Sequence, residues 1–239
     1  MTAPTRLSKR LAEQLGCSRR EAELYIEGGW VSVDGEIVEA PFFKVLDQRI
    51  ELLPGATPAE VPPVTLLWHK PAGMPCPSDA GLIYQQLAKA PRWSADDARQ
   101  TVRDRHFARQ SLLLPLASEA SGLLVFSQQR EVIRALTATR TPYEHEYIVE
   151  VSGEAKPGAL ERLGKGITHR GGLLQAKASW QSENRLRLVV KAHQPGDLKL
   201  MCEAMGLQMR ACKRIRVGRL SMAKLPIGEW RYLGEHERF

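Results

Sequence analysis

The stretch "LLPGATPAEVPPV", residues 52–64, sets the first limit on how this chain folds. Four prolines and one glycine fall within it, and proline both fixes φ and lacks the amide proton that a helix interior or a central strand requires. No regular element runs through such a segment. A chain of 239 residues is long enough to build a core on each side of it. The expected division is therefore a small unit over 1–53, a linker over 54–63 and a larger unit over 64–239.

The small unit has a legible order. In "RLSKRLAEQLG", Leu7, Leu11 and Leu15 recur at helical spacing, and Gly16 stands where a helix ends in the left-handed conformation. In "CSRREAELYIEGGW", Ser18 followed three residues later by Glu21 is a capping box. Ala22, Tyr25 and Ile26 supply the inner face of that second helix, and Gly28 and Gly29 stop it. "WVSVDGEIVEA" then alternates apolar and polar residues about Asp34-Gly35, a hairpin signal. The unit reads as helix, helix, hairpin.

Beyond the linker the apolar runs are "VTLLWHK", "SLLLPL", "GLLVFS", "YEHEYIVEVSG", "LLQAKASW", "RLRLVVKAH", "MRACKRIRVG" and "WRYL". Several alternate with period two, whereas "EVIRALTAT" and "LKLMCEAMG" have helical spacing. The fold class that follows is α+β, with a mostly antiparallel sheet and a few helices. "LLLPLASEASGLLVFS", residues 112–127, reads as a buried strand, a turn built on Gly122 and a second apolar run.

Cys17, Cys76, Cys202 and Cys212 are scattered, without a CxxC pair or zinc-type spacing, and are expected as reduced thiols with no metal site. The N-terminal "MTAPTRLSKRLAEQ" lacks the apolar segment of a secretory signal, so a cytoplasmic location is expected. No apolar run approaches bilayer length, so no membrane partner is expected. A formal charge of +7 and a pI near 9.4 favour a polyanionic partner. Residues 199–239 hold nine Lys/Arg against four acids, while residues 1–54 hold seven against nine. Even so, the basic residues of the small unit cluster in "RLSKR" and "SRR".

Taken in order, these motifs resemble the S4-domain rRNA pseudouridine synthases of the RsuA-like kind. "RLSKRLAEQLGCSRREAELYIEGGWVSVDGEIV" resembles the S4 RNA-binding module, and "WHKPAGMPCPSD" the "KPxG" motif at the start of the catalytic domain. "GLLVFS", "YEHEYIVEV", "GITHRGGLLQAKA" and the long C-terminal run from Leu198 follow in the family's order. The resemblance implies a pseudouridine-synthase-type larger domain and isomerisation of a flipped-out uridine in rRNA, without cofactor or metal. It also implies a catalytic aspartate in a motif "GRLDxxTxGLLL". Aligned on Gly122-Leu123-Leu124, that aspartate position holds Ala117 and the motif's arginine position holds Pro115. A methyl group is neither nucleophile nor base.

The resemblance assigns Tyr147 to packing on the flipped base and Lys199 to the basic position that pairs with the catalytic acid. His145 replaces the family's lysine, and Ala192, His193 and Asp197 replace its acidic-Gly and Gln positions. For RNA contact the candidates are Arg6, Lys9, Arg19 and Arg20 in the S4 module, with Arg214 and Arg216, which alternation places together on one side of a strand as a phosphate track. Tyr147 reads equally as a core aromatic with a satisfied hydroxyl. The leading expectation is a monomeric RNA-binding protein that has lost catalysis, acting on structured RNA such as rRNA or an assembling ribosomal particle. The alternatives are an active synthase that uses a non-standard acid, such as Glu119 or an unaligned residue, and a protein-interaction scaffold.

Overall fold

No helix or strand crosses residues 53–64 in the computed structural model, which describes residues 3–76, 80–138, 142–169, 172–191, 193–194 and 196–239. The chain divides into two units. One comprises Met1–Pro63 with Arg99–Gln110, and the other comprises Val64–Ala98 with Ser111–Phe239. Arg99–Gln110, numerically inside the expected 64–239 unit, thus clusters with the first.

The first unit contains β1 (Thr5–Arg6), α1 (Leu7–Leu15), α2 (Arg19–Glu27), β2 (Val31–Val33), β3 (Glu36–Ile37), β4 (Lys44–Val45) and β5 (Ile50–Leu52). α1 ends on Gly16 at φ 66°, whose N–H bonds Ala12 O. The Ser18–Glu21 capping box is complete: the Glu21 N–H donates to Ser18 Oγ at 3.2 Å and the Ser18 N–H to Glu21 Oε2 at 2.8 Å. Asp34 and Gly35 both have positive φ, the pattern of a two-residue turn matched to strand twist, and β2 pairs with β3 across it. β5 adds on the other edge of β2, and β1 pairs with β4. Leu7, Leu11, Ala22, Ile26, Val31, Val33, Val45 and Ile50 close the core. Leu15, expected on the inner face, is 39 % exposed because it occupies the final helical position. Within this unit Glu39 accepts from Arg103 Nη1 at 2.9 Å and from the Asp104 N–H at 2.7 Å.

The second unit contains β6 (Thr65–Lys70), α3 (Ala80–Lys89), β7 (Ser111–Leu113), β8 (Ser121–Ser127), α4 (Arg130–Thr137), β9 (His145–Ser152), α5 (Ala159–Lys165), β10 (Ile167–His169) and β11 (Gly172–Leu174). β12 (Ala176–Ser182), β13 (Arg185–Val190), α6 (Asp197–Met205), β14 (Gln208–Val217), β15 (Leu220–Ser221) and β16 (Trp230–Tyr232) complete it. One sheet runs in the order β12-β13-β9-β14-β8-β6-β16, with β15 on β14 and β7 on β8. Its pairings are antiparallel except the central β14–β8 junction, which is parallel. The expected α+β, mostly antiparallel architecture is what is observed. Leu67, Leu123, Val125, Leu136 and Val217 lie at the heart of one core cluster.

The parallel junction explains Gly122. Its φ of +111° suits glycine, and a Cβ there would come within 2.3 Å of Arg214 O and 2.5 Å of Arg214 N. Gly122 is therefore not the turn residue that the sequence reading makes it. The turn lies at Ser118–Glu119, and Gly122 sits inside β8, where two backbones approach closely.

Candidate functional site: a cleft at Ala117

β8 and the turn before it, β9, residues 193, 194 and 196, α6 and β14 line a cleft in the second unit. Ala117, Tyr147, Lys199 and Arg214 all line it, so four of the site positions named from sequence share one cavity. Among the described lining residues the only carboxylate is Glu119.

The turn that carries Ala117 is held from below. Lys70, the lysine of "HKP", has 0 % exposure, and its ammonium donates to Pro71 O at 3.0 Å, Ser118 O at 3.1 Å and Ala120 O at 2.7 Å. All three of its protons thus find carbonyl oxygens. The Gly73 N–H also donates to Ser118 O, and the Ala120 N–H to Ala117 O. Burial holds the Lys70 pKa below its ordinary value. In the sequence Lys70 stands only as part of the "KPxG" motif, because a lysine side chain is ordinarily solvated.

Arg214 forms the floor. It is also 0 % exposed, with Nε donating to Leu123 O at 2.8 Å and Nη2 to Leu114 O at 2.6 Å. Leu114 takes a φ of +53°, rare for a branched residue. That conformation accompanies a carbonyl turned onto the guanidinium. Among the described residues, Nη1 has no hydrogen-bond partner.

The expected phosphate track does not form on one side of β14. A register shift between Arg214 and Arg216 pairs Arg214 with Tyr147 and Arg216 with the adjacent Glu146. Alternation by two fails across such a bulge. Arg216 Nε donates to Glu146 Oε2 at 2.6 Å, and Glu146 also accepts from Arg187, which holds its carboxyl below the usual range.

Tyr147 is 1 % exposed, and its Oη lies 2.8 Å from His193 Nε2. It is a core aromatic with a satisfied hydroxyl and a cleft-lining ring at once. His193 packs edge-on against both Tyr147 and His145. Burial first, and Arg214 second, lowers His145 to about 2 and His193 to about 4. Both imidazoles are therefore neutral near pH 7. Lys199 is exposed on α6 at the rim, and Glu119 is exposed on the turn, where it accepts from Ser118 Oγ. Ala192, one of the positions that the resemblance singles out, lies outside the described residues, as do 77–79 of the "KPxG" run and Arg170 and Gly171 of "GITHRGG".

In the first unit, Arg6, Lys9, Arg19 and Arg20 are all exposed. Lys9 pairs with Glu13, Arg19 with Glu23 and Arg20 with Glu60, exposed pairs that a phosphate displaces at little cost. Sequence reasoning passed over Phe42 and Phe43, which face solvent beside Lys44, itself paired with Arg6 across β4 and β1. The signal available was two adjacent aromatics between a proline and a lysine.

The two units define a chain with an N-terminal S4 domain: residues 5–48 match the S4 domain family. The relatives are RNA pseudouridine synthases. Ribosomal small subunit pseudouridine synthase A of Vibrio cholerae is 26% identical over 236 residues, covering 97% of each chain. Dual-specificity RNA pseudouridine synthase RluF of Escherichia coli K12 is 24% identical over 243 residues, covering 97% of this chain and 76% of the relative. The fold is likewise that of a crystallised pseudouridylate synthase, with a TM-score of 0.61 at 20% identity over 96% of both chains. Among the described residues no helix is long and apolar enough to cross a membrane.

Proposed function

We propose that this chain binds structured RNA, rRNA or an assembling ribosomal particle, with a pseudouridine-synthase scaffold whose isomerisation chemistry has been lost. The observation that carries this reading is the cleft itself. Its wall at the family's aspartate position is the Ala117 methyl, and the single carboxylate among its described lining residues, Glu119, is exposed and engaged by Ser118. Attack at a ribose carbon or proton transfer there requires an ionisable or nucleophilic group, and alanine has none. The S4 module would grip RNA backbone through Arg6, Lys9, Arg19 and Arg20, while the cleft accepts a loop nucleotide against Tyr147. Division into 1–53, 54–63 and 64–239 belongs to the same proposal, as do a monomeric state and a cytoplasmic location.

A second reading is favoured by one placement: Glu119 does line the cleft. Incubating the chain with unmodified rRNA and mapping pseudouridine by carbodiimide chemistry separates the two. No protein-dependent site is expected. A new site that disappears in Glu119→Gln would establish the active reading in its place.

A further inference from the structure

Two cations lie at 0 % exposure around this cleft, and they are provided for differently. Lys70 spends its three protons on three carbonyl oxygens. Arg214 spends Nε and Nη2 on Leu123 O and Leu114 O, its guanidinium lies near enough to the Tyr147 hydroxyl to favour that group's ionised form, and the buried Nη1 has no partner of hydrogen-bond geometry among the described residues. Neither forms an ion pair with a carboxylate in the described part of the chain. The neighbouring imidazoles of His145 and His193 cannot offset a cation in either protonation state, and Glu119 stands exposed on the turn.

A buried guanidinium without a countercharge is costly, and carbonyl dipoles solvate it without neutralising it. Ala117 contributes only a methyl to the lining of the same cleft. An oxyanion placed on a free N–H of a buried arginine makes a charge-assisted hydrogen bond, roughly twice as strong as a neutral one. We propose that Arg214 Nη1 is the seat of a small oxyanion, a carboxylate or phosphate group held in the cleft beside Ala117. The inference rests on the reading of this cleft as a site that has lost its own acid. The occupant supplies from outside the negative charge that the chain no longer supplies from within.

The test follows the side-chain Nε–Hε signal of Arg214 by NMR on the full-length protein, assigned by its loss in Arg214→Lys. Acetate and inorganic phosphate are titrated against chloride at constant ionic strength. A saturable shift with either oxyanion and none with chloride is expected. Two variants at Ala117 decide whether the seat is the one described. Ala117→Asp brings in a competing carboxylate and Ala117→Leu fills the space, and each should weaken the oxyanion by at least about tenfold. A silent Arg214 signal in the parent protein, or equal affinity in both variants, overturns the proposal.

The source of the group is then read by repeating the acetate titration with saturating single-stranded RNA. Loss of the acetate shift assigns the seat to an RNA phosphate, and persistence assigns it to a free ion; both outcomes uphold the seat. RNA affinity is measured in parallel by salt titration. A chain that binds RNA while Arg214 stays silent loses this inference alone, whereas one with a responsive Arg214 and no RNA affinity loses the RNA reading instead.

Discussion

Gly122 and Ala117 differ in what they forbid. At Gly122 a side chain is excluded by the backbone of Arg214, 2.3 Å from where a Cβ would stand, and by a φ of +111°. Gly122→Ala should therefore destabilise the protein by more than about 3 kcal/mol in chemical denaturation, and a smaller loss would mean that the parallel junction can part. At Ala117 the backbone takes no left-handed φ and the half-buried side chain borders the cleft. Ala117→Asp should fold, yet should not by itself yield pseudouridine in the carbodiimide assay. Pro115, His145 and Asp197 also stand where the resemblance expects other residues, and a reacting centre needs its positioning groups as well as its acid. Appearance of pseudouridine in that single variant would show that the surrounding residues had kept their function.

At the scale of elements, what could be read in advance followed the locality of the signal. α1 and α2 were legible because the Gly16 and Ser18–Glu21 termini are local chemistry, and Asp34-Gly35 dictates its own turn. The pairing of β14 was not legible, since its bulge answers to β9 across the sheet rather than to its own residues. The helix α3 was likewise passed over. Its buried Ile83 and Leu87 form only a narrow stripe in "GLIYQQLAKA". Burial of Lys70 and Arg214 answers to carbonyl groups distant in sequence, and no pattern within "WHKP" or "KRIR" records them. The S4 element carries its own expectation. If Arg19 and Arg20 contact phosphate, replacing both with Gln should flatten the slope of log affinity against log salt by roughly two for duplex RNA. An unchanged slope would remove α2 from the interface.

The molecule as a whole should be sensitive to acid. His106 in the first unit and His193 in the second are lowered to about 4, and His145 to about 2, in each case chiefly by burial. Above the unfolded value near 6.5, both states hold these rings neutral and stability is full. As pH falls below 6.5 the unfolded chain takes up protons that the folded chain refuses, so stability declines toward the folded pKa values. By pH 5 the loss is on the order of 1–2 kcal/mol for each ring. Glu146, held below its ordinary pKa first by its hydrogen bond to Arg187, extends the decline: its contribution is present above about 4.5 and is lost as pH drops through its folded value. Denaturation midpoints at pH 7.5 and pH 5 give the check, and equal midpoints would contradict the burial of these rings.

The division of the chain also sets an order of birth. Glu39 is synthesised in the first unit, but the partners it binds, Arg103 and the Asp104 amide, leave the ribosome some sixty residues later. Between them comes Val64–Ala98, which belongs to the second unit. A nascent chain stopped after the Pro-rich stretch therefore carries a helix–helix–hairpin module in which Glu39, and Glu27 with its partner Arg105, still wait for residues not yet made. Only when residue 110 has emerged are all segments of the first unit present, and by then β6 and α3 of the other have already been made.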